Sequence, residues 1–153
     1  MFFKKIPTKQ LPGFTLVELL VVMGILTILL AIVLVAINPG RQFAQANNTQ
    51  RQSNINAILN AINGYMADNR GNPPAGISTT TSTIKNSGGV DICSSLVPTY
   101  ISAMPVDPTA GSYTSCTTYD TGYTVVRTAT STGSRITVAA PSAELSQTIS
   151  VTR

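Results

Sequence analysis

The chain has 153 residues, one domain's worth, with ten Lys/Arg against six Asp/Glu. Only 10% of the residues are charged, and there is no His and no Trp. The missing His removes the usual general base, Ser–His and Cys–His nucleophile pairs and most catalytic zinc sites, and the wealth of Thr, Ser, Asn and Gln suits an exported surface protein better than a cytoplasmic enzyme.

Lys4, Lys5 and Lys9 lie on a short flank ahead of Pro12-Gly13. Residues 14–37 follow as a run of 24 residues whose one ionisable side chain is Glu18. At ~1.5 Å per residue a helix over this run spans roughly 36 Å, enough for a ~30 Å hydrocarbon core with tilt. Basic residues before a span favour the cytoplasmic side, so the C-terminus is expected outside. Without the three leader lysines, seven Lys/Arg face six Asp/Glu, so the high pI reflects membrane orientation rather than an acidic partner. A secretory signal peptide fits poorly, because its apolar region is about 7–15 residues and Ala44-Gln45-Ala46 lies well beyond the run. A plain signal anchor accounts for the span but not for Pro12-Gly13-Phe14 or Glu18. A charge at the bilayer centre costs about 2.5–3.5 kcal/mol on insertion scales, so Glu18 is expected to have a role.

After Asn38-Pro39-Gly40 helical periodicity returns. Ile55, Ile58, Leu59, Ile62, Tyr65 and Met66 form one apolar stripe. Arg51, Asn54, Asn56, Asn60 and Asn63 fall on the other face. The spacing predicts one helix of about 55 residues, kinked or loosened at Pro39 and ending near Asn69-Arg70-Gly71, with Gly71 as C-cap. Residues 71–89 read as a loop. Residues 91–101 predict a short helix with Asp91 as a possible N-cap, limited by Pro98. Three strands are predicted at 122–130, 135–140 and 148–152, with a turn at 131–134. Tyr123, Val125 and Arg127 share one face of the first, Ile136, Val138 and Ala140 one face of the second, and Ile149 and Val151 one face of the third. Such a sheet can cover the helical stripe, which makes the fold class α+β.

The segment Lys-Gln-Leu-Pro-Gly13-Phe14-Thr15-Leu16-Val17-Glu18 resembles the prepilin signature of type IV pilins and their pseudopilin relatives. In that family a basic leader ends in Gly, the next residue is usually Phe, and Glu stands fifth in the mature chain. Gly13, Phe14 and Glu18 match these positions, and the likeness covers about the first third of the chain. It implies a leader (1–13), a transmembrane and filament-core helix (14–37), an amphipathic helix (38–70) and a loop-and-sheet head (71–153). It also implies cleavage after Gly13 by a prepilin peptidase and N-methylation of Phe14. The mature subunit would then polymerise with other pilin subunits on an inner-membrane assembly platform. Before assembly the protein would sit once through the cytoplasmic membrane, and afterwards in a surface or extracytoplasmic filament. The expected function is that of a structural filament subunit without catalytic residues or cofactor. The alternatives are a pseudopilin of a secretion or DNA-uptake machine and, from another class, a signal-anchored binding domain.

By the same resemblance, Glu18 pairs with the Phe14 ammonium of a neighbouring subunit. At ~4 Å and an effective dielectric near 20 that gains about 4 kcal/mol, comparable with the insertion cost. The alternative is a Glu that snorkels to the headgroups. Cys93 and Cys116 are the only cysteines and fall in the exported part, where disulfides persist; the alternative is two buried thiols. Many pilins close a C-terminal disulfide loop, often one ending nearer the C-terminus than Cys116 does. Asp91, Asp107 and Asp120 are scattered, and Met104-Pro105-Val106-Asp107-Pro108 is similar to the family's Pro-x-Asp-Pro segment. Turn formation is favoured there over calcium, which wants six to eight clustered oxygens. Arg41, Arg51, Arg127 and Arg135 read as solvated surface rather than a nucleic-acid patch. The sequon Asn47-Asn48-Thr49 is discounted on a packed helix.

Overall fold

The structure is a computed structural model that describes residues 13–130 and 133–153. The leader residues 1–12, Lys4, Lys5, Lys9 and Pro12 among them, lie outside the described residues, as do Ser131 and Thr132 of the expected turn. The elements are α1 (Leu16–Ile37), α2 (Pro39–Asp68), β1 (Ser82–Lys85), α3 (Cys93–Leu96), β2 (Ser112–Ser115), β3 (Thr118–Thr130), β4 (Gly133–Ala140) and β5 (Ile149–Thr152). The architecture is α+β, as the periodicities predict. The chain divides after Pro39 into two compact units, so α2 folds with the sheet-bearing unit.

The expected single helix is interrupted. Asn38 takes a left-handed conformation (φ 49°, ψ 79°) and ends α1, while Pro39 opens α2. A residue before proline is disfavoured in helical geometry, and proline is well suited to a first helical position, where its missing N–H costs nothing. At the far end, Arg70 (φ 59°) and Gly71 (φ 85°) turn left-handed, and the Gly71 N–H donates to the Met66 carbonyl at 2.8 Å. That closure satisfies one of the orphan carbonyls of a helix terminus.

In the second unit all strand pairs are antiparallel, in the order β1-β3-β4-β5, with β2 also paired to β3. Thr130 pairs with Gly133 across the connection. Ile55, Ile58, Leu59 and Ile62 of α2 are fully buried in one core with Tyr123, Val125, Ile136, Val138, Ala140 and Ile149 of the sheet. The predicted apolar positions face the core, with Tyr65, Met66 and Val151 at its margin. β1 lies inside the segment that reads as a loop, and β2 also goes unread. Each has four residues rich in Ser and Thr, too short for a visible alternation.

Arg51 overturns its reading as solvated surface. It is completely buried on α2. Its Nε donates to Asp107 Oδ2 at 2.7 Å and its Nη2 to Asp107 Oδ1 at 3.2 Å. Nη1 donates to Glu144 Oε2 at 3.1 Å and to Asn48 Oδ1 at 3.0 Å, and Nη2 also to Thr109 Oγ1 at 2.7 Å. The partners stand 56 and 93 positions away, beyond any helical period. Asp107 also accepts from the Thr109 and Ala110 backbone N–H groups at 2.9 and 3.0 Å. Burial alone would push the Asp107 carboxyl up, but Arg51 and the Thr109 and Ala110 donors outweigh it and hold the group below its ordinary value. Gly111 lets this loop lie against β3. A Cβ there would stand 2.6 Å from the Asp107 nitrogen and 2.8 Å from the Thr121 carbonyl oxygen.

Asp91 is not the N-cap of α3; Ile92 occupies that position. Asp91 Oδ1 nonetheless accepts from the Cys93 N–H at 3.3 Å and from the Tyr119 hydroxyl at 2.8 Å, and that hydroxyl accepts from the Ile92 and Cys93 N–H groups at 3.2 and 3.3 Å. Burial, reinforced by Asp91, pushes the Tyr119 hydroxyl up and keeps it protonated. It thereby pins the start of α3, where Cys93 is joined to Cys116 with Cα atoms 5.2 Å apart.

Two measurements follow. Asp107→Asn strands a buried guanidinium and is expected to cost about 3–5 kcal/mol, nearer the lower figure because Glu144 remains. In thermal unfolding of the full chain in detergent this reads as a drop on the order of 10 °C. Because Asp107 titrates below its unfolded value near 3.9, its stabilisation is present above that pH and lost as pH falls through the folded value; the gap between wild type and Asp107→Asn narrows below about pH 4. An unchanged gap at acid pH contradicts this account. Cys93→Ser opens a loop with a sequence separation of 23 and is expected to cost about 3–4 kcal/mol. Full alkylation of both cysteines in unreduced protein would contradict the bridge.

Candidate processing and assembly segment

α1 exposes all its side chains within its own chain. None of its 22 residues is buried, and it is long and apolar enough to cross a membrane. Phe14, just ahead of it, is 85% exposed, and nothing approaches within 4 Å of where a Gly13 Cβ would stand. The bond between Gly13 and Phe14 therefore lies on open, non-helical backbone.

Helix α1 begins at a built cap. Thr15, in extended geometry, accepts from the Glu18 N–H through its hydroxyl at 3.2 Å. Glu18 reaches back, its Oε2 accepting from the Thr15 N–H and from the Thr15 hydroxyl, each at 2.8 Å. This is a reciprocal capping box, with the acidic residue in the first turn, where the helix dipole favours negative charge. The sequence reading singled out Glu18 but missed Thr15 as its partner; the signal was present, since Thr-x-x-Glu ahead of an apolar run is a helix-start pattern.

The other sequence-derived candidates are dispersed. Asp91 and Asp107 serve the contacts above, and Asp120 accepts from the Gly122 N–H at 2.9 Å. No three ligating side chains gather into a metal-sized group among the described residues. A groove of about 860 Å³ between α2 and the start of β5 is lined by neutral amides and hydroxyls such as Gln45, Gln52, Asn56 and Thr148. Such a lining offers hydrogen bonds but no acid, base or activated nucleophile. Asn47, the acceptor position of the sequon, is half-buried with its amide donating to Glu144 Oε2 at 3.1 Å, and Asn48 beside it is buried, donating to the Glu144 carbonyl at 2.8 Å.

The capping box sets an expectation. Thr15→Val removes the hydroxyl acceptor and should weaken the helix start by about 1 kcal/mol. Amide exchange of residues 16–19 in micelles should quicken roughly fivefold while residues 25–30 are unchanged. Equal exchange in both proteins contradicts a working cap.

Residues 12–34 match a family model described as the prokaryotic N-terminal methylation motif. No curated protein and no solved structure matches the chain. The matched segment contains Gly13, Phe14, Thr15 and Glu18 and most of α1. The motif's family is structural rather than catalytic; it implies, in general, processing by a prepilin peptidase and polymerisation with pilin subunits, and with the apolar helix it fits membrane anchoring. Residues 12–34 thus carry the N-terminal methylation motif, a local likeness that supports a type IV pilin-like or pseudopilin-like family.

Proposed function

We propose that the protein is a structural subunit of a type IV pilus-like filament, made as a prepilin and cleaved after Gly13. The carrying observation is the uncovered apolar helix α1 with its one carboxylate at Glu18, five positions beyond Gly13. An apolar surface of this size needs lipid or other copies of itself to cover it. In the membrane, lipid covers it and the capping box serves the carboxylate. After cleavage the new Phe14 amine supplies a positive charge beside α1, and Glu18 of a neighbouring subunit pairs with it. Repetition of one such heterologous contact extends without closing, which makes a filament. The chain itself catalyses nothing in this scheme, and the sheet-bearing unit forms the filament's outer surface.

The test reads processing and assembly separately. Mass spectrometry of sheared surface material should find a peptide beginning at a methylated Phe14. Glu18→Leu should insert and be cleaved, because losing the carboxylate eases insertion by about 3 kcal/mol. Its ratio of filament to membrane-retained protein should fall at least tenfold, as an unpaired buried amine costs about 3–5 kcal/mol. An intact Gly13–Phe14 bond in the surface material, or an unchanged ratio in Glu18→Leu, overturns the reading.

A further inference from the structure

Within residues 40–153, two large hydrophobic side chains are strongly exposed among the described residues: Phe43 at 70% and Leu145 at 43%. They are not scattered. Phe43 stands one helical turn before Asn47 on the same face of α2. Leu145 directly follows Glu144, which accepts from Asn47 at 3.1 Å and Asn48 at 2.8 Å and donates its N–H to Asn48 Oδ1 at 2.9 Å. Both therefore border the same clasp, at the end of the unit where α2 begins.

The backbone at Leu145 adds a second, independent observation. Leu145 (φ 58°) and Ser146 (φ 55°) are consecutive residues in the left-handed region. That conformation is uncommon for any non-glycine residue and an outlier for a bulky one. It persists where surrounding contacts over-determine it, and such sites concentrate where function is carried. Here the Glu144 contacts and the Gln147 side chain, which accepts from Asn48 at 2.9 Å, hold the segment on both sides. The strained turn leaves a leucine in solvent where a buried one would be expected.

Chain length says what lies close to this patch. Ile37 ends α1 and Pro39 begins α2, two residues apart, or about 7 Å at most. Phe43 is four helical residues further, about 6 Å. It thus lies within about 13 Å of the end of the span, whatever angle the two helices make. The headgroup layer adds about 5–7 Å on each side of the hydrocarbon. The headgroup layer is therefore within reach of this position before any second copy arrives.

Resting on the reading of α1 as a membrane span, we infer that Phe43 and Leu145 form an interfacial foot that seats the exported unit on the lipid surface before assembly. Phe and Leu are side chains that amphipathic surfaces insert at the headgroup–acyl boundary. The foot holds the unit at the membrane at its α2 start and leaves the far end, near Tyr65, in water.

The chain has no Trp, so single-Trp variants report position without background. The full chain is reconstituted in phosphatidylcholine–phosphatidylglycerol vesicles containing lipid brominated in the upper acyl chain. Phe43→Trp and Leu145→Trp should each lose roughly a third or more of their emission. Leu29→Trp in α1 should also be quenched. Tyr65→Trp, about 33 Å along α2 from Phe43, should keep its emission. Quenching of Leu29→Trp without quenching at positions 43 and 145 overturns the foot and leaves the span standing. No quenching of Leu29→Trp overturns the span, and the foot with it. Equal quenching at position 65 overturns the foot, since the whole unit would then lie on the lipid. If positions 43 and 145 are unquenched in vesicles but blue-shifted in sheared filaments, the patch is a contact between subunits and the lipid assignment fails.

Discussion

The sheet-bearing unit is organised around one buried guanidinium. Arg51 projects from α2 into a space closed by the Asp107 loop on one side and the Glu144 segment on the other, and each of its nitrogens has an acceptor. Taking such a charge out of water costs several kcal/mol, and its ion pairs return little more than that. The net gain in stability is therefore small. Position is the larger effect, because a forked guanidinium tolerates few arrangements of its carboxylates. Two connections that would otherwise be free to slide, 104–111 and 141–148, are each held to a fixed turn of α2. Tyr119 does the same for the start of α3, through one hydroxyl with three partners.

This division of labour separates the chain's two units by their chemistry. Among the described residues, 40–153 cover themselves: an apolar stripe under a sheet, the buried Arg51 and Asp107 paired, a disulfide closing 93–116, with Arg127 Nε the one buried side-chain nitrogen left without a partner. Helix α1 satisfies its backbone, the Glu18 carboxylate through Thr15, and the Thr27 hydroxyl through the Met23 carbonyl. Its side chains remain without cover inside the chain. The chain's second unit is complete as a fold and its first incomplete as a surface, the condition that the proposed passage from lipid to an assembly requires.

In the proposed scheme the capping box also gives Glu18 a physical state before assembly. An unpaired carboxylate in a span would be costly, but a carboxylate with the Thr15 N–H and hydroxyl has part of its solvation replaced. In the proposed scheme the exchange of these partners for a neighbour's amine is a trade between two hydrogen-bonded states rather than the rescue of a bare charge. That lowers the barrier to storing the subunit and leaves assembly to supply the difference.

Much of this was legible in the order of residues. The span, the Gly13-Phe14…Glu18 spacing, the stripe from Ile55 to Met66 and the inward faces of β3, β4 and β5 are periodic or strictly local, and local pattern survives without knowledge of the fold. The break at Asn38 was visible as a weakness at Pro39, though its left-handed form was not. Arg51 was misread: it stands four residues before Ile55 and seven before Ile58, on the face of the apolar stripe, so its inward direction was legible in the spacing and only its partners, Asp107 and Glu144, were not. The strands β1 and β2 were invisible because four Ser- and Thr-rich residues have no period, and they exist by pairing with β3. Sequence alone determined what most segments must bury and where the N-terminal methylation motif lies. Tertiary structure decided which polar groups meet, because a hydrogen bond between residues separated by 56 or 93 positions leaves no trace in either neighbourhood.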